Sequence, residues 1–237
     1  MKKEQTKYFP QTKEELIHLI EQHIKDEGNE ADLNDIDVSA ITDMSTLFLR
    51  MDFNGDISDW DVSNVTNMNS MFFGCKFFNQ DISKWDVSNV TEMNGMFLGC
   101  EKFNQDLSKW NVSNVTDMSY MFYNCIVFNQ DLSMWDVSNV TDMESMFWDC
   151  ENFNQDISDW DVSNVTNMNS MFFGCKKFNQ DLSKWNVSNV TDMNCMFKHC
   201  ISFNQDLSGW NISNIIYKQD VFYDCQIKDE YKPKFKK

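Results

Sequence analysis

Trp recurs at Trp60, Trp85, Trp110, Trp135, Trp160, Trp185 and Trp210, and Cys at Cys75, Cys100, Cys125, Cys150, Cys175, Cys200 and Cys225. Both ladders advance by 25 residues without a slip. A fixed period of roughly 20–50 residues is the signature of a repeat array. One such unit cannot bury its own apolar face, so successive units must stack and share one continuous core. The chain has only 2 Pro and 7 Gly in 237 residues, and no linker interrupts the array. A single elongated domain follows. Residues 56–76 and 156–176 are identical, which implies duplication of a four-coil block and predicts similar surfaces in the two halves.

The unit Leu132-Ser133-Met134-Trp135-Asp136-Val137-Ser138-Asn139-Val140 begins with the LxxLxL spacing of a leucine-rich-repeat strand. Trp135 and Val137 are two apart and share one face of such a strand. Thr141 and Glu144 have capping-box spacing. Met143, Met146, Phe147 and Cys150 then fall at i, i+3, i+4 and i+7, one face of a short helix. A polar return, Phe153-Asn154-Gln155-Asp156, closes the unit with turn-forming Asn and Asp. The chain therefore reads as an α/β repeat solenoid, a leucine-rich-repeat-like coil with one parallel β-sheet and short helices on the opposite side. Strands starting at Leu33, Ile57, Ile82, Leu107, Leu132, Ile157, Leu182 and Leu207 predict eight coils over 33–225. Residues 12–32 form an N-terminal capping helix and turn, opened by Thr12-Lys13-Glu14-Glu15 and closed at Gly28. Residues 1–11 are an N-terminal tail, and 226–237 a basic C-terminal tail whose last residues, Lys232 to Lys237, are expected to fray.

The formal net charge of −17 disfavours nucleic acid, whose phosphates need Lys and Arg clusters. It equally disfavours charge-driven binding to an anionic membrane. No stretch is apolar enough to insert into a bilayer, and Met1–Thr6 is not followed by the apolar core of a signal peptide. The Cys ladder follows the repeat rather than a disulfide scaffold, so we expect it buried and reduced. Cys195, off the ladder, is the thiol expected to react.

The run FNQDLSKWNVSNVTDMSYMF resembles the repeat of BspA-like leucine-rich surface proteins. More narrowly, it is similar to the roughly 25-residue repeat domain of mycoplasma-type bacterial surface lipoproteins. The motif W-x-V-S-N-V-T-x-M-x-x-M-F-x-x-C carries this resemblance over residues 31–225. It implies a right-handed leucine-rich-repeat-like solenoid, mostly found in bacterial surface or secreted proteins with proposed roles in adhesion to host proteins. It brings no catalytic residues. Location at the cell surface or secretion is the expectation by resemblance. A cytoplasmic location is the alternative that the missing signal peptide supports.

On the expected strand, the outward positions are candidates for a partner-binding stripe. These are Asp59, Asp61, Lys84, Asp86, Lys109, Asn111, Met134, Asp136, Asp159, Asp161, Lys184 and Asn186. The third position varies while its neighbours stay constant, and its Lys residues read as isolated cations on an acidic protein. The Asx residues are equally suited to holding coils in register. A second candidate surface is the variable pair after Met-Phe, as in Tyr123-Asn124 and Trp148-Asp149. A further acidic ladder, Asp56, Asp81, Asp106, Asp131, Asp156, Asp181 and Asp206, raises calcium, which needs about six to eight oxygens. Neither acidic ladder lies in a Gly-rich turn, so capping of turns is the expectation, with no metal and no cofactor. The Asn-Val-Thr sequons at Asn64 and its repeats read as structural. His18, His23 and His199 form no catalytic pattern with Ser, Cys or Asp. We expect no enzyme, but a monomeric, non-enzymatic protein-binding solenoid used in surface adhesion or interaction. An intracellular scaffold or immunity-type protein and a structural spacer are the alternatives.

Overall fold

Apolar residues three apart dictate the coil, because each such pair closes a turn. In the computed structural model, which describes residues 7–235, the Trp135 N–H donates to Leu132 O at 3.1 Å. Val140 N–H donates to Val137 O at 2.9 Å, Met146 to Met143 at 3.3 Å, Cys150 to Phe147 at 3.0 Å and Phe153 to Cys150 at 3.1 Å. Both ends of each of these turns point into the core. Leu132, Trp135, Val137, Val140, Met143, Met146, Phe147, Cys150 and Phe153 are all buried. At about 1.5–3 kcal/mol per large apolar side chain, burial outweighs any other contribution to a coil.

The protein is a repeat solenoid, but its coils are not the strand and helix predicted. Among the described residues the only α-helix is α1 (Lys13–Glu27), and β pairing is confined to isolated parallel bridges. The bridges run Asp43, Asn67, Glu92, Asp117, Asp142, Asn167, Asp192, Tyr217, one residue per coil. They lie beside the Met-x-x-Met-Phe segment; on the segment assigned to the sheet only Ile36 of the first coil is bridged among the described residues, to Tyr8.

The expected helices fail for a backbone reason. Ser145 has φ 52° and Asp149 φ 53°, and the same two positions are left-handed in every coil. An α-helix needs φ near −63° throughout. Each of these residues instead occupies the third position of a turn that requires positive φ. Gly74, Gly95, Gly99 and Gly174 supply it without strain; Tyr120, Asn124, Cys195 and His199 adopt it at a cost.

Turning the chain this way aims alternate N–H groups along the axis. Met143, Ser145, Phe147 and Asp149 donate to Asn167, Asn169, Met171 and Phe173 of the next coil, at 3.0, 2.8, 2.9 and 2.7 Å. The intervening Met146, Trp148 and Cys150 donate within their own coil. Core side chains stack in columns. Phe48, Phe72, Phe97, Phe122, Phe147, Phe172, Phe197 and Phe222 lie ring on ring, with centroids 5.3–5.7 Å apart.

The ends differ from the middle, as terminal repeats must. Thr12 accepts the Glu15 N–H at 3.2 Å, and Gly28 closes α1 at φ 89°. Leu16 and Ile20 are fully buried over the first coil. At the other end the described part of the tail packs back on the last coil as far as Phe235. Leu207 N–H donates to Tyr231 O at 2.8 Å, Ile227 is buried, and Tyr231 and Phe235 pack against the core. Lys236, Lys237 and the segment Met1–Thr6 lie outside the described residues.

The Cys ladder is buried at Cys75, Cys100, Cys125, Cys150, Cys175 and Cys200, all free thiols. Each donates to the carbonyl of the core Phe one coil back, as Cys150 does to Phe122 O at 2.9 Å. Burial pushes the Cys75 thiol up to about 12 and holds the others well above their ordinary value. Cys225 departs from the expectation for its ladder: in the last coil it is only half-buried, like Cys195. Thiol labelling of the native protein should therefore modify Cys195 and Cys225 and spare the other six until unfolding.

The turn geometry also fixes the sign of a substitution. Cys195 has φ 55° where Gly95 stands in an earlier coil. Cys195→Gly should raise stability by roughly 1 kcal/mol in urea melts. In a helix the same change would lower it by roughly 0.3 kcal/mol.

Candidate interaction surfaces

Most polar side chains of the coil are already occupied, and this decides what remains for a partner. Trp135 Nε1 donates to Leu107 O at 3.0 Å, and the six other ladder Trp side chains repeat that bond. The sequon residue Asn139 donates through Nδ2 to Ser113 O at 2.8 Å. Asn129 Oδ1 accepts the Asn154 N–H at 2.9 Å. Thr141 Oγ1 donates to Thr116 O at 3.3 Å, so the expected capping box with Glu144 does not form.

Asx residues cap three turns in most coils, Glu92 and Tyr217 replacing the third cap in two of them. Asp131, Asp136 and Asp142 accept the N–H two residues on, from Ser133 at 2.9 Å, Ser138 at 3.1 Å and Glu144 at 2.8 Å. The acidic ladders are thus turn caps. Among the described residues no group of three or more His, Cys, Asp or Glu is placed to share a metal ion. Hydrogen bonds from the serine two residues on hold Asp56, Asp81, Asp86, Asp106, Asp136, Asp156, Asp181 and Asp206 below the usual carboxylate range.

All twelve residues of the predicted stripe are exposed: Asp59, Asp61, Lys84, Asp86, Lys109, Asn111, Met134, Asp136, Asp159, Asp161, Lys184 and Asn186. They lie on turns rather than on a strand. The fifth-position Asx residues face solvent while capping, and the third-position side chains project freely, Met134 at 80% exposure. One expectation changes. Lys184 is not isolated, because its Nζ lies 2.9 Å from Asp159 Oδ1 of the preceding coil. Lys84 and Lys109 line a shallow open depression of about 440 Å³ with Asp86 and Asn111.

A second row follows the residue after Met-Phe. Tyr123 stacks on Trp148 at 5.4 Å, Trp148 on Phe173 at 3.9 Å, and Phe173 meets His199 edge-on at 5.3 Å. Arg50 lies over Phe73 at 5.5 Å and Lys198 over Tyr223 at 4.9 Å. Tyr120 extends the row by its contact with Tyr123 at 6.2 Å and its hydroxyl hydrogen bond to Glu144. Trp148 Nε1 donates to Asp149 Oδ2 at 3.1 Å. Burial raises the Asp149 and Asp142 carboxyls above their ordinary range. The sequence pointed to the variable pair but not to Arg50, Tyr120 or Glu144, because their contacts cross between coils. The expectation of matched halves also fails here. Phe73 and Phe173 occupy identical segments, yet one lies under a guanidinium and the other on an indole.

The family model described as "Mycoplasma protein of unknown function, DUF285" matches the chain over residues 18–135 and again over 121–234. No curated protein matches it significantly. Among solved structures, a leucine-rich repeat protein from Bacteroides ovatus ATCC 8483 is 13% identical. The match covers 89% of this chain and 79% of that one, with a TM-score of 0.34. A likeness of that size carries no argument about this fold. Among the described residues no helix is long and apolar enough to cross a membrane.

The capping carboxylates set an acid dependence. Their folded values lie below the ordinary 3.8, so their stabilisation is complete above that value and is lost as pH falls through the depressed ones. Asp142 and Asp149, shifted upward, act in the opposite sense. Urea midpoints should fall as pH drops below the ordinary Asp value. Asp106→Ala should cost about 1 kcal/mol at neutral pH through the lost cap, while Asp106→Asn should cost much less. Asp142→Asn, which places the residue found at Asn67 and Asn167, should raise the midpoint at neutral pH.

Proposed function

The chain belongs to the family described as Mycoplasma protein of unknown function, DUF285. From that premise we propose that it is a non-enzymatic, monomeric protein-binding solenoid acting in adhesion or interaction at a bacterial surface. One observation carries the reading: the third-position residue of each coil varies within a frame that is otherwise bonded coil to coil. Asn, Thr and Trp side chains are held by hydrogen bonds, whereas Asp59, Lys84, Lys109 and Met134 stand outside that frame. A rigid frame presents such side chains without an ordering cost at the moment of binding. His23 and His199 pair with Asp35 and Asp224 at the two ends of the array, while the ladder thiols donate to backbone carbonyls and most Asp side chains cap turns.

The test is binding of the purified chain to host-cell surfaces, with and without charge reversal on the stripe. Lys84→Glu, Lys109→Glu and Lys184→Glu together should weaken binding about tenfold, chiefly by slowing association, and reduce its salt dependence. The matched control is Lys76→Glu, Lys102→Glu and Lys177→Glu, exposed residues on the return turn. Acids such as Asp117 and Asp192 are unsuitable controls because each caps a turn. Thermal melts check folding of both triple variants. Loss in the control alone, or equal loss in both, removes the stripe as the binding face. Cell fractionation tests the surface location directly.

A further inference from the structure

The last coil ends in an open edge of backbone donors. We propose that the N–H groups of Asp220, Phe222 and Asp224, with the apolar rim of Ile215, Ile216 and Tyr217, dock a segment of a partner protein. That segment is coiled like the Met-x-x-Met-Phe stretch of this chain, presents alternate backbone carbonyls to the edge and lays an aromatic ring on Phe222. The site is separate from the third-position stripe and does not depend on it.

Each junction between interior coils shows the complement. At the last one, Cys195, Phe197 and His199 donate to Gln219, Val221 and Tyr223 O at 2.8, 2.9 and 2.9 Å. One coil on, the same positions are Asp220, Phe222 and Asp224, and among the described residues their N–H groups meet no acceptor. The two carboxylates do not fold over the edge to cap it. Asp220 Oδ2 lies 2.9 Å from Lys198 Nζ and Asp224 Oδ2 lies 2.9 Å from His199 Nδ1, both in the coil before.

The described tail covers only the other half of this end. Lys228 N–H donates to Asn204 Oδ1 at 3.0 Å and Leu207 N–H to Tyr231 O at 2.8 Å, over the return and the Leu-Trp turn. On the ladder side the core columns run out into solvent. Val187, Val190 and Phe197 are buried, whereas their counterparts Ile212, Ile215 and Phe222 are only half-buried. A repeat that closes an array turns polar on its outer face. This one turns apolar: Ile216 and Tyr217 stand where the coil before has Thr191 and Asp192, and they are 66% and 56% exposed.

Backbone polarity selects the occupant. The three donors belong to one ladder and point the same way, so the occupant must offer carbonyls at alternate residues. The edge of a β-strand mixes N–H with C=O and does not match. Alternating left-handed turns do align carbonyls in this chain, as at Ser119, Met121 and Tyr123, which accept from Gly95, Phe97 and Gly99 at 2.8, 3.0 and 2.7 Å. A second copy is not the occupant, because α1 lies across the first coil at the opposite end. Leu16 and Ile20 are fully buried there, and Lys13 Nζ donates to Ser45 Oγ at 2.7 Å.

The test titrates the whole chain with a synthetic peptide of residues 111–124 and reads amide hydrogen exchange residue by residue. Exchange at Asp220, Phe222 and Asp224 should slow at least about tenfold when the peptide is bound. The same peptide carrying Tyr120→Pro should not bind measurably, because Tyr120 sits at φ 58° and proline holds φ near −65°. In the protein, Phe222→Ala should weaken the peptide about tenfold, with a thermal melt to check folding. The proposal is overturned if protection appears elsewhere or nowhere. It is overturned equally if the proline peptide binds as well as the parent, since the association would then be hydrophobic and blind to backbone geometry. Unchanged affinity in folded Phe222→Ala protein also overturns it.

Discussion

The turn closed between two core side chains three residues apart is the constraint on which everything else in this protein rests. It consumes one N–H and one carbonyl and buries both flanking side chains. Repeated around the coil, it leaves alternate N–H groups facing the next coil, and those make the axial ladder. Each ladder bond adds only about 1 kcal/mol net. The nine buried side chains of a coil contribute several times more. The hydrogen bonds therefore set the direction and register of stacking, and the buried columns supply most of its free energy.

The same constraint limits what polar residues can do. A coil made of turns has many backbone groups that no strand or helix satisfies, and buried orphans of this kind are costly. Asp131, Asp136 and Asp142 satisfy them in one coil; Asn139 and Thr141 do so across to the coil before. An acidic chain of this type is acidic partly because Asp is a good cap. What remains for recognition is the outermost turn residue and the flank of the left-handed turns.

The period, the core columns and the N-terminal cap were legible because they depend on spacing alone. Trp135, Val137, Phe147, Cys150 and Phe153 are buried as their repetition required. The secondary structure was not, because Met143, Met146, Phe147 and Cys150 satisfy a helix and a chain of turns equally well. The discriminating signal was Gly at Gly74, Gly95, Gly99 and Gly174, confined to two positions four apart where Ser, Asp and Asn also fall. Such residues mark positive φ, not helix interior. The exposure of the third-position stripe was legible too. The pairing of Lys184 with Asp159 was not, since it depends on which coil stands beside which.

That dependence on neighbours matters most where the chain repeats itself word for word. Phe73 and Phe173 lie in identical segments and occupy the same place in their coils, yet their surroundings are set one coil earlier. Arg50 precedes the first and places a cation on its ring; Trp148 and Asp149 precede the second and place an indole and a carboxylate there. Gly74 and Gly174 absorb both arrangements, lying close against Arg50 in one case and Asp149 in the other. In a stacked coil, then, the unit of recognition is not the repeat but the junction between two repeats. Duplicating a block conserves the core and the caps, which need only their own register, while any change in one coil remakes the surface of the next. This is how an array with so constant a frame can carry different surfaces along its length without altering its fold.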